Sequence, residues 1–459
     1  MTNGRSINSQ FLYVRRLFVE GLFGDFTYDL RLDNAQTRPA TKLLILYGDN
    51  GSGKTTLLRM VFHLLNPGRR QGHRSFLAKT LFRRLVVELG EDVTVVAERH
   101  GSNLKGSFRM SIHDKGRTSE IDWVAREGGG VLEAEQGDEH EESFMAHLAT
   151  LAIALYFLAD NRRIYTIRSS EQPDFESRER AITLRHGRMH HLGMSPQEIQ
   201  ESAEESRARL LESSLRRASN WITRQVISAS SKGEEDANAI YADIVRRIAA
   251  VKRTRRPEKR ERSKAQLIDV LRKQELRVST FARYGLIAPA NVGVLTDSIR
   301  DAGPEALAAI ESVITPYIEG VEARLNALEP THETLDSFIS ILNSFYRHKS
   351  VTFDLRTGLK TITASGGSLA PVNLSSGEGQ LLVLFCNLLV ARHQNSIFIV
   401  DEPELSLNVK WQRELVRSLL SLAADSPIQF ILATHSIELL SRHKEFVVKL
   451  TDTTQHQSV

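Results

Sequence analysis
Apolar and polar positions follow three different rhythms along this chain. From Phe11 to Leu32 the sequence FLYVRRLFVEGLFGDFTYDLRL is rich in aromatic and β-branched residues, and Phe26, Tyr28, Leu30 and Leu32 alternate with polar neighbours. A period of two sets one face of a strand on a core and the other in water. The pattern predicts two antiparallel strands joined near Gly21 to Gly24, ahead of a buried strand at Leu43 to Tyr47. Arg84 to Glu98 and Phe108 to His113 extend it as strands of an antiparallel layer with exposed edges. In between, Thr56 to Leu65 reads as a helix closed by Asn66-Pro67-Gly68. The acidic stretch Asp138 to Glu142, preceded by Glu133 and Glu135, predicts a surface loop or a helix start. Phe144 to Ala159 is apolar enough to be buried, and Arg162, Arg163, Tyr165, Ile167 and Arg168 predict a short strand.

The rhythm then becomes helical. From Ser195 to about Ala282, Glu, Arg, Ala, Gln and Ser dominate, and apolar residues are sparse. Ile199, Leu210, Leu211 and Leu215 lead to Trp221, Ile222 and Val226; Ile240, Ile244, Ile248 and Val251 follow Gly233; a third set runs from Leu267 to Leu276. The spacing predicts helices of an inserted lid or short coiled arm. Because the heptad signal is brief, the expectation is against a long rod. Glu305 to Leu328 and Glu333 to Phe345 predict two more helices separated at Glu329-Pro330, the first kinked or split at Pro316. Val351 to Leu355 and Lys360 to Ala364 predict a hairpin turning at Thr357-Gly358.

Near the C-terminus the apolar residues become continuous. Leu381 to Val390 predicts a buried helix, and Ile397 to Val400 and Ile428 to Ala433 predict strands covered on both faces, as in a parallel sheet. The chain therefore divides into residues 1–170 and 346–459, two parts of an α/β unit, with a helical insertion over 171–345.

Chemistry collects at the ends of these buried strands. Gly48-Asp49-Asn50-Gly51-Ser52-Gly53-Lys54-Thr55 follows the Leu43 to Tyr47 strand and opens a helix. In a strand–loop–helix context, glycines let successive N–H groups converge on a phosphate, and a lysine and a hydroxyl serve the β/γ-phosphates and Mg²⁺. Gly48, Asn50, Gly51, Gly53, Lys54, Thr55 and Thr56 are thus the candidate nucleotide ligands. Asp401 and Glu402 end a buried strand where α/β sheets place ligands. Asp401 is expected to hold Mg²⁺ through water with Thr55, and Glu402 to accept a proton from attacking water. Leu374-Ser375-Ser376-Gly377-Glu378-Gly379-Gln380 opens the Leu381 to Val390 helix with hydroxyls and open amides, an anion-binding end. His435 follows the Ile428 to Ala433 strand and is expected to reach the γ-phosphate or the water.

Composition changes this picture little. The 459 residues carry a formal charge of +4, compatible with nucleic acid but weak evidence for it. One cysteine, Cys386, excludes an internal disulfide framework, a zinc ribbon or an iron–sulfur cluster within one chain, and its apolar neighbours predict burial. The polar opening MTNGRSINSQ and the short or interrupted apolar runs point to a cytoplasmic protein without a membrane span. Two basic stretches stand out. Arg69, Arg70, His73, Arg74, Lys79, Arg83 and Arg84 form one; Lys252, Arg253, Arg255, Arg256, Lys259, Arg260, Arg262 and Lys264 form the other. Each reads either as a polyanion contact or as a solvated face, and in the second no aromatic residues interleave for base stacking.

Taken together, the phosphate loop, LSSGEGQ, FIVDEPE, the following Ser406 to Asn408 and ATHS resemble the ABC-type ATPase superfamily. DEPELSL and LSSGEGQ are particularly similar to its OLD/RecF branch, which serves DNA repair and phage defence. The resemblance covers Leu12 to Leu65 and Val351 to about Leu450. It implies an ABC-type head, a P-loop sheet plus an antiparallel β layer, with the helical region inserted. It further implies a homo-oligomer in which Ser375, Gly377 and Glu378 of one copy close over ATP held by Lys54, Thr55, Asp401 and Glu402 of another. No TOPRIM nuclease segment or paired hook cysteines accompany these motifs, and the glutamine of the Q-loop is not assignable by pattern, Gln172 being a candidate. The remaining resemblance is to stand-alone ATPases of anti-phage systems such as PARIS, which implies a separate TOPRIM-type or other nuclease effector and a phage-protein trigger. The alternative is a RecF-like ATPase that clamps duplex DNA.

Overall fold
The computed structural model describes residues 11–31, 42–69, 71–125, 132–159, 164–167, 196–250, 263–289 and 291–452. The chain divides into two compact units, Met1–Arg207 with Ala391–Val459, and Ala208–Val390.

In the first unit the alternating N-terminal pattern forms an antiparallel sheet. Strands β1 (Val14–Leu22) and β2 (Phe26–Arg31) are the hairpin expected around Gly21 to Gly24. With β4 (Arg84–Leu89), β5 (Val93–Glu98), β6 (Phe108–Asp114), β7 (Arg117–Ala125) and β8 (Leu132–Ala134) the order is β2-β1-β4-β5-β6-β7-β8. The continuous apolar runs form a second sheet. Strands β3 (Leu43–Tyr47), β9 (Ala154–Leu158), β14 (Ser396–Asp401), β15 (Ile428–Ala433) and β16 (Val447–Lys449) are parallel, and β10 (Ile164–Ile167) is antiparallel at one edge; the order is β10-β9-β14-β15-β3-β16.

Helix α1 (Lys54–Leu65) buries Leu57, Leu58, Val61 and Leu64 in one core with Leu17, Leu85 and Val95 of the first sheet and Ile397, Ile399 and Ile431 of the second. A buried side chain also joins the sheets. The Gln429 amide accepts from the Val14 N–H at 2.8 Å and donates to the Val14 carbonyl at 3.0 Å, acting as one more rung of strand pairing.

The first basic stretch is divided between core and surface. His73 and Arg74 open α2 (His73–Lys79) and are buried. Arg74 donates to the carbonyls of His63 and Asn66, the acceptors left unpaired where α1 ends. Burial lowers its pKa from the usual arginine value to about 9. Arg69 pairs with Glu141 and Glu142, Arg83 with Glu20 and Arg84 with Glu98. His73 and Arg74 thus serve the fold, whereas Lys79, Arg83 and Arg84 are exposed; Arg70 lies outside the described residues. The acidic stretch Asp138 to Glu142 begins α3 (Asp138–Thr150), where carboxylates favour the helix N-terminus.

The second unit is mostly helical, and two expectations about it need correction. Helix α4 (Pro196–Ala250) is one helix of 55 residues, running through Gly233. At 1.5 Å per residue it is about 80 Å long, against the expectation of no long rod. The glycine is there for close approach: a Cβ at Gly233 would lie 2.9 Å from the Arg324 Cα. Second, helix α7 (Pro304–Phe345) continues through both Pro316 and Pro330. Each proline removes a backbone hydrogen bond, and packing compensates. Helix α5 (Lys264–Ala282) buries Leu267 and Leu271 against Ile314 and Ile318, beside Val292 and Ile299, the latter in α6 (Gly293–Asp301). Gln274 to Glu322, Arg277 to Glu329 and Tyr284 to Asp336 add hydrogen bonds along α7. The hairpin of β11 (Lys349–Asp354) and β12 (Gly358–Thr363) turns at Thr357-Gly358 as expected and adds β13 (Ser368–Leu369). Helix α8 (Ser376–Ala391) carries Cys386 buried, its thiol pushed up to about 12 by desolvation.

Candidate functional site
Three parallel strands end side by side. Asp401 of β14 is in register with Ala433 of β15, and Ala433 with Leu46 of β3. The loops leaving this row carry Gly48 to Lys54, Glu402 to Glu404 and Thr434 to Ser436. The sheet thus gathers the phosphate loop with two motifs that lie more than three hundred residues further along the chain.

The first loop has the curl that a phosphate needs. Gly51 and Gly53 adopt φ of 84° and 83°, the left-handed region that side chains disfavour. A Cβ at Gly53 would lie 2.8 Å from Leu22 and 3.0 Å from the Phe23 ring, and one at Gly48 would lie 2.9 Å from Ser52. The Tyr28 hydroxyl donates to the Ser52 carbonyl at 2.9 Å and braces the loop from the antiparallel sheet. Lys54, buried, points its ammonium at the Gly48 and Asp49 carbonyls, at 2.8 and 3.0 Å. Desolvation lowers its pKa, opposed by Glu402, Asp401 and Asp49. The first amides of α1 have no intrahelical acceptor and point out of the same end. Thr55 sits half-buried beside Lys54.

The second and third loops hold the acid–base groups. Asp401 is buried at 1% exposure. Glu402 follows at φ 49°, a left-handed backbone for a non-glycine residue, held there by its N–H donating to the Ala433 carbonyl at 2.9 Å. Its carboxylate meets His435 Nε2 at 3.2 Å. Burial, then the carboxylates of Glu404 and Asp401, push the Glu402 pKa up to about 8, with Lys54 pulling the other way. His435 is shifted down by desolvation and by Lys54. Ser406 also adopts a left-handed φ, 66°, and Asn408 caps α9 (Val409–Leu422) by accepting from the Trp411 N–H.

In the second unit the Ser375 to Gln380 segment starts α8 with a reciprocal cap. The Ser375 N–H donates to the Glu378 carboxylate at 2.6 Å, and the Glu378 N–H to Ser375 Oγ at 3.3 Å. Lys349 Nζ reaches the same carboxylate at 2.9 Å and Tyr346 donates to the Glu378 carbonyl at 3.0 Å. These contacts, with desolvation opposing them, lower the Glu378 pKa. Its charge is engaged inside the unit, while Ser375 and Gly377 stand at the helix start.

The first unit joins a mostly parallel sheet and an antiparallel sheet through one core, and the second unit is mostly helical. Lys54, Thr55, Asp401, Glu402 and His435 come together in the first unit. Of the second basic stretch, only Lys264 is described; it begins α5 and donates to the Arg300 carbonyl at 2.9 Å. Lys252, Arg253, Arg255, Arg256, Lys259, Arg260 and Arg262 lie outside the described residues, as do Arg162, Arg163, Arg168 and Gln172. Two residues escaped sequence reasoning. Phe23, 40% exposed, sets its ring beside Gly53, yet in the sequence it is one aromatic residue in a glycine turn. Glu404 binds the loop after β15; the only signal was a third carboxylate in DEPE.

Residues 239–441, under half of the chain, match the AAA_21 family, an AAA domain whose description also names the AbiEii toxin and type IV TA systems. Over 82 residues the chain is 38% identical to the molybdenum import ATP-binding protein ModC of Pasteurella multocida (strain Pm70), covering 18% of this chain and 22% of that protein. The chain thus spans about a fifth of the length of the curated relative it matches. Among solved structures, an Smc head domain with an extended coiled coil from Pyrococcus furiosus, bound to the C-terminal domain of ScpA, aligns at TM-score 0.36 and 14% identity, over 96% of this chain and 94% of that one. An Smc head domain with a coiled coil and joint from Pyrococcus yayanosii aligns at TM-score 0.36 and 13% identity, over 94% and 93%. Among the described residues no helix is long and apolar enough to cross a membrane.

Proposed function
We propose that this protein binds ATP with Mg²⁺ and hydrolyses it, using hydrolysis to release an assembly that ATP holds together. The observation that carries this reading is the Glu402–His435 contact of 3.2 Å at the same strand row that carries Lys54. The residues fit the ligand. Lys54 exchanges the Gly48 and Asp49 carbonyls for phosphate oxygens, and the opening amides of α1 complete the cradle. Thr55 and the buried Asp401 provide oxygen donors of the kind Mg²⁺ takes, one or two protein ligands beside phosphates and water. Mg²⁺ would supply neutralisation of the phosphate charge. Glu402, as carboxylate, takes the proton of the attacking water, and His435, donating from Nε2, fixes that carboxylate. The Phe23 ring offers a flat apolar face for the base.

Ser375 and Gly377 of a second copy complete the site, so the working form is a homo-oligomer with at least paired heads. For what the assembly controls, two readings stand. The resemblance to defence ATPases supports a regulatory subunit that restrains a separate nuclease effector until a phage protein triggers release, and the match to AAA_21 accords with that. The 55-residue helix inserted between the head-forming segments favours the other, a RecF-like clamp whose arm embraces duplex DNA.

The test is equilibrium binding of a fluorescent ATP analogue with Mg²⁺, followed by duplex DNA retention at rising salt. Wild type should bind nucleotide and Lys54→Ala should lose it. Equal binding by both overturns the site. ATP-dependent DNA retention that falls with salt selects the clamp; a co-purifying nuclease with no DNA retention selects the regulatory subunit.

A further inference from the structure
Besides its charge, which helps raise the Glu402 pKa, Glu404 offers the site a heavily used acceptor. One oxygen, Oε1, accepts from Thr434 Oγ1 at 2.6 Å, from the His435 N–H at 2.9 Å and from the Ser436 N–H at 3.0 Å. Three donors from three consecutive residues converge on a single atom. The Thr434 N–H is tied to the Leu46 carbonyl, and Thr434 Oγ1 also accepts from the Ser436 N–H at 2.9 Å. The turn after β15 therefore has its shape fixed from two sides, by strand β3 and by Glu404. On the β14 side, Glu402 is held by its backbone bond to Ala433. The 3.2 Å contact between the Glu402 carboxylate and His435 thus depends on two turns keeping their separation, and Glu404 is the side chain that bridges them.

We propose that Glu404 is a positioning residue: it docks the 434–436 turn onto the 401–404 turn and so places His435 against Glu402. This rests on the ATPase reading above. What matters is the acceptor at Oε1, because all three partners are donors. Glutamine keeps a carbonyl oxygen there and preserves the three bonds; alanine removes them and frees the turn. A small displacement of an acid–base group costs turnover far more than it costs affinity, and the three bonds of Glu404 Oε1 go to the 434–436 turn, while Lys54 feels Glu404 only as a charge.

Steady-state ATP hydrolysis and equilibrium nucleotide binding are measured for wild type, Glu404→Gln, Glu404→Ala, Thr434→Val and the Glu404→Ala/Thr434→Val double variant. Glu404→Ala should lower kcat by about 10-fold or more while the nucleotide Kd stays within about 3-fold. Glu404→Gln should recover kcat to within about 3-fold of wild type. Thr434→Val, which removes one of the three bonds, should be intermediate, and the double variant should lose less than the two single losses combined, since the Glu404–Thr434 bond is shared. Thr434→Val keeps the test open should Glu404→Ala fail to fold. Wild-type kcat in Glu404→Ala, an equal loss of affinity and turnover, or a Glu404→Gln as slow as alanine overturns the proposal. If wild type itself turns over no ATP, the ATPase reading falls and takes this inference with it; turnover in wild type with an unaffected Glu404→Ala removes the inference alone.

Discussion

The shape of the phosphate loop can be tested by adding one methyl group at either of two glycines. Gly51 and Gly53 share nearly the same left-handed backbone, φ 84° and 83°, but differ in surroundings. A Cβ at Gly51 meets nothing within 4 Å, whereas one at Gly53 lies 2.8 Å from Leu22 Cδ2 and 3.0 Å from Phe23 Cε2. Phe23 is exposed and can turn away; Leu22 is fully buried and cannot. Holding an alanine in the left-handed region costs about 1–2 kcal/mol, and overpacking a close site adds about 1–3 kcal/mol. Gly51→Ala should therefore cost about 1–2 kcal/mol and Gly53→Ala about 2–5 kcal/mol. If the loop keeps its shape, the cost appears as lost stability; if the loop relaxes, it returns as weaker nucleotide binding, tenfold for each 1.4 kcal/mol. Urea unfolding and equilibrium binding of a fluorescent ATP analogue measure the two parts. Equal behaviour of the two variants in both assays would refute the crowding argument, and wild-type behaviour of both would refute the left-handed loop.

Three further outcomes follow from the structure. His63 and His73 are buried with their Nδ1 atoms 2.8 Å apart, and desolvation with the nearby guanidinium of Arg74 lowers both pKa values, His63 to about 3. Between pH 6.5 and 3 the unfolded chain then binds protons that the folded chain does not, so stability is full above pH 6.5 and falls on acidification, by about 1.4 kcal/mol per pH unit for His63 alone; a melting temperature that is flat from pH 7 to pH 5 would contradict this. Gln429→Leu leaves the Val14 N–H and carbonyl without their partner, at about 1–3 kcal/mol for each group, and a melting temperature equal to wild type would show that the amide is dispensable. Glu378→Ala removes one half of the α8 cap and should lower stability by about 1 kcal/mol, while a larger effect on nucleotide affinity of the isolated protomer would return this carboxylate to the binding site.

The parts of the site that were legible in sequence are those whose signal is local. Strand, glycine loop and helix are adjacent from Leu43 to Leu65, and Asp401 and Glu402 directly follow an unbroken apolar run. Local signals misled where packing decides. Gly233 looked like a helix boundary but is the point where Arg324 approaches, and Pro316 and Pro330 looked like breaks but lie within a helix that α5 supports. His73 and Arg74 read as surface charge because nothing in the sequence shows that the carbonyl end of α1 will fold onto them. Glu404 was invisible as a ligand of residues 434–436 because its partners are thirty positions away and two of them are backbone groups, which carry no sequence signature.

The central claim is that Glu402 takes the proton in ATP hydrolysis, and single-turnover hydrolysis with Mg²⁺ by wild type and Glu402→Gln tests it most directly. The account predicts that Glu402→Gln binds ATP as wild type does, hydrolyses it about 100-fold or more slowly, and accumulates as a nucleotide-bound pair of heads. Hydrolysis by Glu402→Gln at the wild-type rate would contradict it.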